Sequence, residues 1–211
     1  MLELLMDSIS TIFGNIIVFL IIPFIWWMIK WRKKISFFKW IGIIKPKLVG
    51  NWKWVIAFII AYYFFYSFDV DIFMSAKDLE ILQVSENVSS NIYAGLGFVA
   101  VIPALLKTFI ANGFCEEVLF RGFVSKRLIS KFGKISGIII QGVLFGFMHN
   151  VIYMLVGVEI SLQYHIALFI FTGMGGLLLG LLDEKIYNGS IIPSIFLHGL
   201  SNFISNLQVM F

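Results

Sequence analysis

Runs of about twenty consecutive apolar residues, long enough to carry a helix across ~30 Å of hydrocarbon, recur along this chain. They constrain its fold more than any other feature. Seven stretches qualify: Ile12–Ile29, Trp52–Phe68, Asn91–Phe109, Ala111–Ile129, Ser136–Val156, Gln163–Leu182 and Ser190–Met210. In lipid every backbone amide must be satisfied inside its own segment, which makes helices the spanning elements. Composition agrees, since 60% of the 211 residues are apolar and only 13% are charged, against about a quarter charged in a soluble domain. The expected fold is all-α: a polytopic transmembrane helical bundle of about seven spans, one membrane domain over residues 1–211. The first apolar run has its positive charges after it and no small-residue cleavage site behind it. That is the pattern of a retained anchor rather than a removed signal peptide.

Charge is distributed unevenly. Lys30 to Lys53 holds eight Lys/Arg residues and no acid, whereas Asp69–Ser90 holds five acids and one lysine. No soluble module interleaves aromatic and basic residues, so nucleic acid is not an expected partner. The basic segment reads instead as a juxtamembrane cluster on the cytoplasmic side, beside lipid headgroups. This choice puts the N-terminus and the acidic connector outside and the C-terminus inside. It also puts Lys126, Arg127, Lys131 and Lys134 outside, against the same rule. Lone Cys115 excludes an internal disulfide. Gly142-xxx-Gly146 and Gly176-xxx-Gly180 are small-xxx-small patterns that let helices approach closely.

Ionisable residues at membrane depth cost ~2.5 kcal/mol or more each and invite a functional reading. Three clusters stand out. In Glu116-Glu117-Val-Leu-Phe-Arg121, Glu117 and Arg121 share a helix face and can pair, while Glu116 points ~100° away and stays free. The plainer reading, a wet loop starting at Gly113, is opposed by the apolar Val118, Leu119, Phe120, Phe123 and Val124. The second cluster is Phe145-Gly-Phe-Met-His149. A lone histidine on an apolar helix is more often a packed core residue. With a turn at Gly133, however, Glu116 lies 17 residues before it and His149 lies 16 after it, which sets the two at one depth in a helical hairpin. The third is His198-Gly-Leu-Ser-Asn202, whose two polar side chains project from one helix face. Asn206 and His165 read as interfacial, and Asp183 and Glu184 as an ordinary wet loop.

A carboxylate beside an imidazole in low dielectric can hold a water and take its proton as it attacks a carbonyl. An imidazole and a carboxamide on a neighbouring helix can stabilise the oxyanion. The chain has no Gly-x-Ser-x-Gly elbow, and Cys115 has only acids beside it. A zinc site built from Glu116, His149 and His198 remains a possibility, but His-Glu-x-x-His is absent. A non-enzymatic scaffold and a proton-coupled transporter stay open as rival uses of the same polar cluster.

In this order on successive apolar segments, Glu-Glu-x-x-x-Arg, Phe-x-x-x-His and His-x-x-x-Asn resemble the CAAX protease and bacteriocin-processing (CPBP, or Abi) family, which includes the type II CAAX prenyl endopeptidases. The resemblance spans about residues 110–206, and it marks that region as a catalytic core. It implies a glutamate-dependent intramembrane endopeptidase in which Glu116 and His149 activate water and His198 and Asn202 form the oxyanion site. Glu117 and Arg121 would order the fourth helix, and Phe145 would shape the pocket beside His149. It implies no obligatory cofactor, with zinc the alternative. Membrane lipid and a peptide or protein entering from the bilayer or the cytoplasmic face are the implied partners. Members act in prenyl-protein maturation, bacteriocin processing or self-immunity, and regulation. The short chain without appended domains suggests a bacterial, multi-pass protein of the cell membrane.

Overall fold

The computed structural model describes residues 1–68, 70–84 and 91–211, is 82% helical, and has no strand among the described residues. Its helices are α1 (Leu2–Lys30), the short α2 (Phe37–Ile41), α3 (Trp52–Tyr66), α4 (Ala76–Val84), α5 (Gly97–Phe132), α6 (Lys134–Leu155), α7 (Leu162–Ile186) and α8 (Ile192–Met210). Helices α1, α5, α6 and α7 are long and apolar enough to cross a membrane, and α3 is a shorter apolar helix. Of the acidic connector Asp69–Ser90, positions 69 and 85–90 lie outside the described residues.

From Gly97 onward, the stretches expected as separate spans at Asn91–Phe109 and Ala111–Ile129 form one continuous helix, α5, of 36 residues. No proline or glycine falls between Ile102-Pro103 and Asn112-Gly113 to stop it. The Asn-Gly pair is absorbed into a π-helical stretch, Lys107–Phe114, and a second one follows at Val118–Ser125. The chain turns instead at Gly133, which adopts φ 83°, as the hairpin spacing requires.

This merger removes the charge conflict. With one crossing fewer, Lys126, Arg127, Lys131 and Lys134 fall at the same end of the bundle as Lys30–Lys53. Contacts confirm the common end. The Val49 amide donates to the Ile186 carbonyl at 2.8 Å, Lys126 binds Glu184 and also the Gly189 carbonyl at 2.6 Å, and Lys134 reaches the Glu184 carbonyl at 3.0 Å. The C-terminus moves to the opposite, acidic end, where the Gly95 amide donates to the Val209 carbonyl at 2.9 Å. There Asp78 of α4 accepts hydrogen bonds from the amides and hydroxyls of Ser75 and Ser161, at 2.6–2.8 Å. Burial acts to raise the Asp78 pKa, but these four donors outweigh it and hold the carboxyl well below the usual carboxylate range.

Two helix crossings depend on glycine. At α6–α7, a Cβ added to Gly142 would stand 2.9 Å from the Gly173 carbonyl oxygen, and one on Gly146 would stand 2.4 Å from that of Phe169. Gly176 and Gly180 seat Phe145 and Gln141 in the same way. Both small-xxx-small patterns therefore serve this crossing. At α5–α8, a Cβ on Gly113 would lie 2.9 Å from the Ile195 carbonyl oxygen, and one on Gly199 would lie 2.7 Å from the Phe109 ring. These glycines sit three residues before Glu116 and one after His198, so the closest backbone approach in this pair of helices lies beside the polar motifs.

Candidate active site

Glu116 and Glu117 occupy a single α-helical turn, Cys115–Glu117, between the two π stretches of α5. Such π insertions recur at functional sites. The two adjacent acids have different surroundings. Glu117 is 0% exposed. Its Oε2 lies 3.0 Å from Arg121 Nε, and its Oε1 accepts from His198 Nδ1 at 2.8 Å. Arg121, itself 1% exposed, lays its guanidinium 4.3 Å from the centre of the Phe145 ring, a cation–π contact of the kind that desolvation strengthens. The Glu117 carboxylate is thus held from two helices.

Glu116 keeps 13% of its side chain exposed, and its Oε2 stands 4.0 Å from His198 Nε2. That oxygen has no hydrogen-bond partner in the protein. The separation is too long for a direct bond and suits a bridging group between them. His149 Nδ1 lies 2.9 Å from the Phe145 carbonyl oxygen. A carbonyl can only accept, so this nitrogen carries the hydrogen, and Nε2 of neutral His149 keeps its lone pair. The ring of Phe145 packs near both imidazoles, edge-on, with centroids 4.6 Å from His149 and 6.1 Å from His198. Glu116 and His149 are electrostatic neighbours. Asn202 stands one turn beyond His198 on the same face of α8, half-buried. Glu116, Glu117, Arg121, Phe145, His149 and His198 are in mutual contact or electrostatic range where α5, α6 and α8 meet; Glu117, Arg121 and Phe145 are buried, and Glu116, His149 and His198 half-buried.

A model of the Rce1-like type II CAAX prenyl endopeptidases matches residues 98–204, just over half of the chain. This chain belongs to that family. No curated protein and no solved structure matches it. The matched region begins in α5, ends in α8, contains all three motifs and leaves out α1–α4.

The helices outside the family region still contribute to the site. Phe19 of α1 packs against Cys115, Phe120 and Phe145, and the Asn15 side-chain amide donates to the Ala111 carbonyl at 2.9 Å. From α3, the Tyr62 hydroxyl lies 2.8 Å from Ser201 Oγ, and the Tyr66 hydroxyl donates to the Ser201 carbonyl at 2.5 Å. Tyr62 is also an electrostatic neighbour of Glu117 and Arg121. A tyrosine pair at i, i+4 in an otherwise apolar helix was the available signal for this contact.

Two expectations need correction. Asp183 is not in a wet loop: it is 1% exposed, on the π turn that ends α7, and accepts from Ser194 Oγ at 2.7 Å. Glu184 is half-buried and paired with Lys126. Asn206 is buried, at 4% exposure. His165 is engaged within the fold, its Nδ1 2.5 Å from Asn150 Oδ1. No three His, Cys, Asp or Glu side chains among the described residues come together as metal ligands. A groove of about 710 Å³ between α3 and α7 lies away from the motifs, and Gln163 is the sole polar residue among its lining.

Proposed function

We propose that this protein is an intramembrane endopeptidase that hydrolyses a peptide bond with a water activated by Glu116 and His149. The observation that carries the reading is the division between the two acids. Glu117 is fully buried and held by Arg121 at 3.0 Å and His198 at 2.8 Å, whereas Glu116 is partly open and stands 4.0 Å from His198.

In the proposed reaction, Glu116 accepts a proton from water while His149 Nε2, free to accept, orients that water. The resulting hydroxide attacks the carbonyl carbon. With Nδ1–H given to Glu117, His198 donates from Nε2 as the imidazolium, and hydrogen bonds from that Nε2–H and the Asn202 carboxamide stabilise the oxyanion. Glu116 then returns the proton to the leaving amine as the C–N bond breaks, so the hydroxyl of water ends on the new carboxyl and its proton on the new amine. Glu117, Arg121 and Phe145 hold His198 and the α5–α6 contact in register. The basic end of the bundle faces the cytoplasm, and the substrate is a lipid-modified or membrane-embedded peptide entering from the bilayer or that face.

The test is purified protein in lipid nanodiscs with a farnesylated peptide ending in a CAAX motif, and its unprenylated counterpart, followed by mass spectrometry. Cleavage products, without a hydroxamate when hydroxylamine is present, are the expected result. No product from either peptide, with the protein folded, would favour a scaffold or immunity role. Activity lost to a chelator and restored by one equivalent of zinc would replace the water-activation scheme with a metal one.

A further inference from the structure

Asp183 is a carboxylate only 1% exposed, in the π turn that ends α7. It fastens both sides of the α7–α8 connection. Its backbone carbonyl accepts from the Gly189 amide at 2.8 Å, and its Oδ2 accepts from Ser194 Oγ, in the first turn of α8, at 2.7 Å. Ser194 and His198 are i, i+4 and share a face of α8. The Ser194 hydroxyl also borders Glu117, and Asp183 lies within electrostatic range of Glu117 and Arg121. Glu117 is fixed from α5 by Arg121, so the 2.8 Å contact with His198 Nδ1 depends on how α8 is set along and about its axis. Ser194 is an anchor for α8 one turn before His198, and Ser201, held by Tyr62 and Tyr66, is an anchor just after it.

From this geometry we infer that Asp183 and Ser194 are positioning residues for His198, fixing the first turn of α8 so that the imidazole meets Glu117. The kinetic part rests on the function proposed above; the structural part does not. Ser194 also reaches the Ile191 carbonyl at 3.0 Å. Its hydroxyl therefore keeps a local partner when Asp183 is removed, and the variants retain a route to the native fold.

The chain has three histidines, so ¹⁵N-histidine labelling in detergent yields three imidazoles, with His198 assigned from H198Q. In D183A and S194A the His198 Nδ1 resonance is expected to move, while those of His149 and His165 stay within their line widths. On the farnesylated peptide, kcat falls on the order of 10-fold or more, as when a supporting partner of a site residue is lost, with KM within about 3-fold. S194T restores both signals. If D183A does not fold, S194A, which leaves the carboxylate in place, decides alone. An unmoved His198 resonance in folded S194A, or a fall in kcat that S194T does not reverse, overturns the assignment. A moved resonance with no cleavage by the wild type leaves the positioning role standing and removes the protease reading.

Discussion

Two helix crossings in this protein use the same device and have different outcomes. At α6–α7 the glycines Gly142, Gly146 and Gly173 let two apolar surfaces meet backbone to backbone. At α5–α8, Gly113 and Gly199 do the same, but the residues beside them are Glu116, Glu117 and His198. In lipid, association rests on close packing and interhelical hydrogen bonds. The α6–α7 pair shows close packing that bears on the site only indirectly, by seating Phe145 against Gly176. The α5–α8 pair shows it used to hold a carboxylate–imidazole contact that a side chain larger than hydrogen at either glycine would separate.

The comparison can be broken most strongly at Arg121. Arg121→Ala leaves Glu117 buried without its cation, a change that costs about 3–5 kcal/mol when one partner of a buried pair is removed. Folded yield and Tm in detergent should drop sharply. Normal thermal stability with complete loss of cleavage would instead place Arg121 in the chemistry.

Alanine at the two crossings should separate their roles. Gly199→Ala puts a Cβ 2.7 Å from the Phe109 ring and shifts α8 beside His198. Cleavage should fall by about 10²-fold, the typical consequence of a 1 Å displacement at a reacting group. Gly142→Ala meets the Gly173 carbonyl oxygen at 2.9 Å, two turns from His149. It should destabilise by about 1–3 kcal/mol, as overpacking does, while the folded fraction loses less activity than Gly199→Ala. Equal activity loss per folded molecule in the two variants would remove the distinction.

The smallest effect is expected at the acidic end, away from both crossings. Because donors depress the Asp78 pKa in the folded state, its carboxylate stabilises the fold fully above the ordinary carboxylate pKa. That contribution is lost as pH falls through the folded value, below pH ~4. Asp78→Asn should lower stability by about 1–3 kcal/mol at neutral pH, with the gap to wild type closing under acid and cleavage unchanged. A pH-independent gap in Tm would contradict it.

What the sequence made legible follows the same division. The α6–α7 crossing was readable because its small residues repeat within one helix at the four-residue spacing. The α5–α8 crossing was not, since Gly113 and Gly199 are single glycines on separate helices and only the fold brings them together. The Glu117–Arg121 pair was legible from i, i+4 spacing, and the Gly133 hairpin from the equal arms to Glu116 and His149. The continuity of α5 was hidden because Asn112-Gly113 reads as a break, whereas in the fold a π stretch absorbs it. Asp183 was read as wet because it neighbours Glu184 and Lys185, but the π turn at Leu182–Ile186 closes α7 with Asp183 inside. The sequence reading paired Glu116 with His149, and the nearest imidazole nitrogen to it in the fold is on His198, at 4.0 Å. That contact depends on the α5–α8 crossing, which no local spacing encodes.

The central claim is that two adjacent acids have separate tasks, Glu116 in the chemistry and Glu117 in the frame. Glu116→Gln and Glu117→Gln each preserve side-chain size and remove a charge, so measuring cleavage and Tm for both in one preparation tests it directly. Glu116→Gln should fold with nearly wild-type Tm and bind substrate, yet cleave at least about 10³-fold more slowly, consistent with loss of the activating base. Glu117→Gln should lose Tm, because Arg121 and His198 lose their shared carboxylate. Full cleavage by Glu116→Gln, or a Glu117→Gln protein as stable as wild type but inactive, would contradict the account.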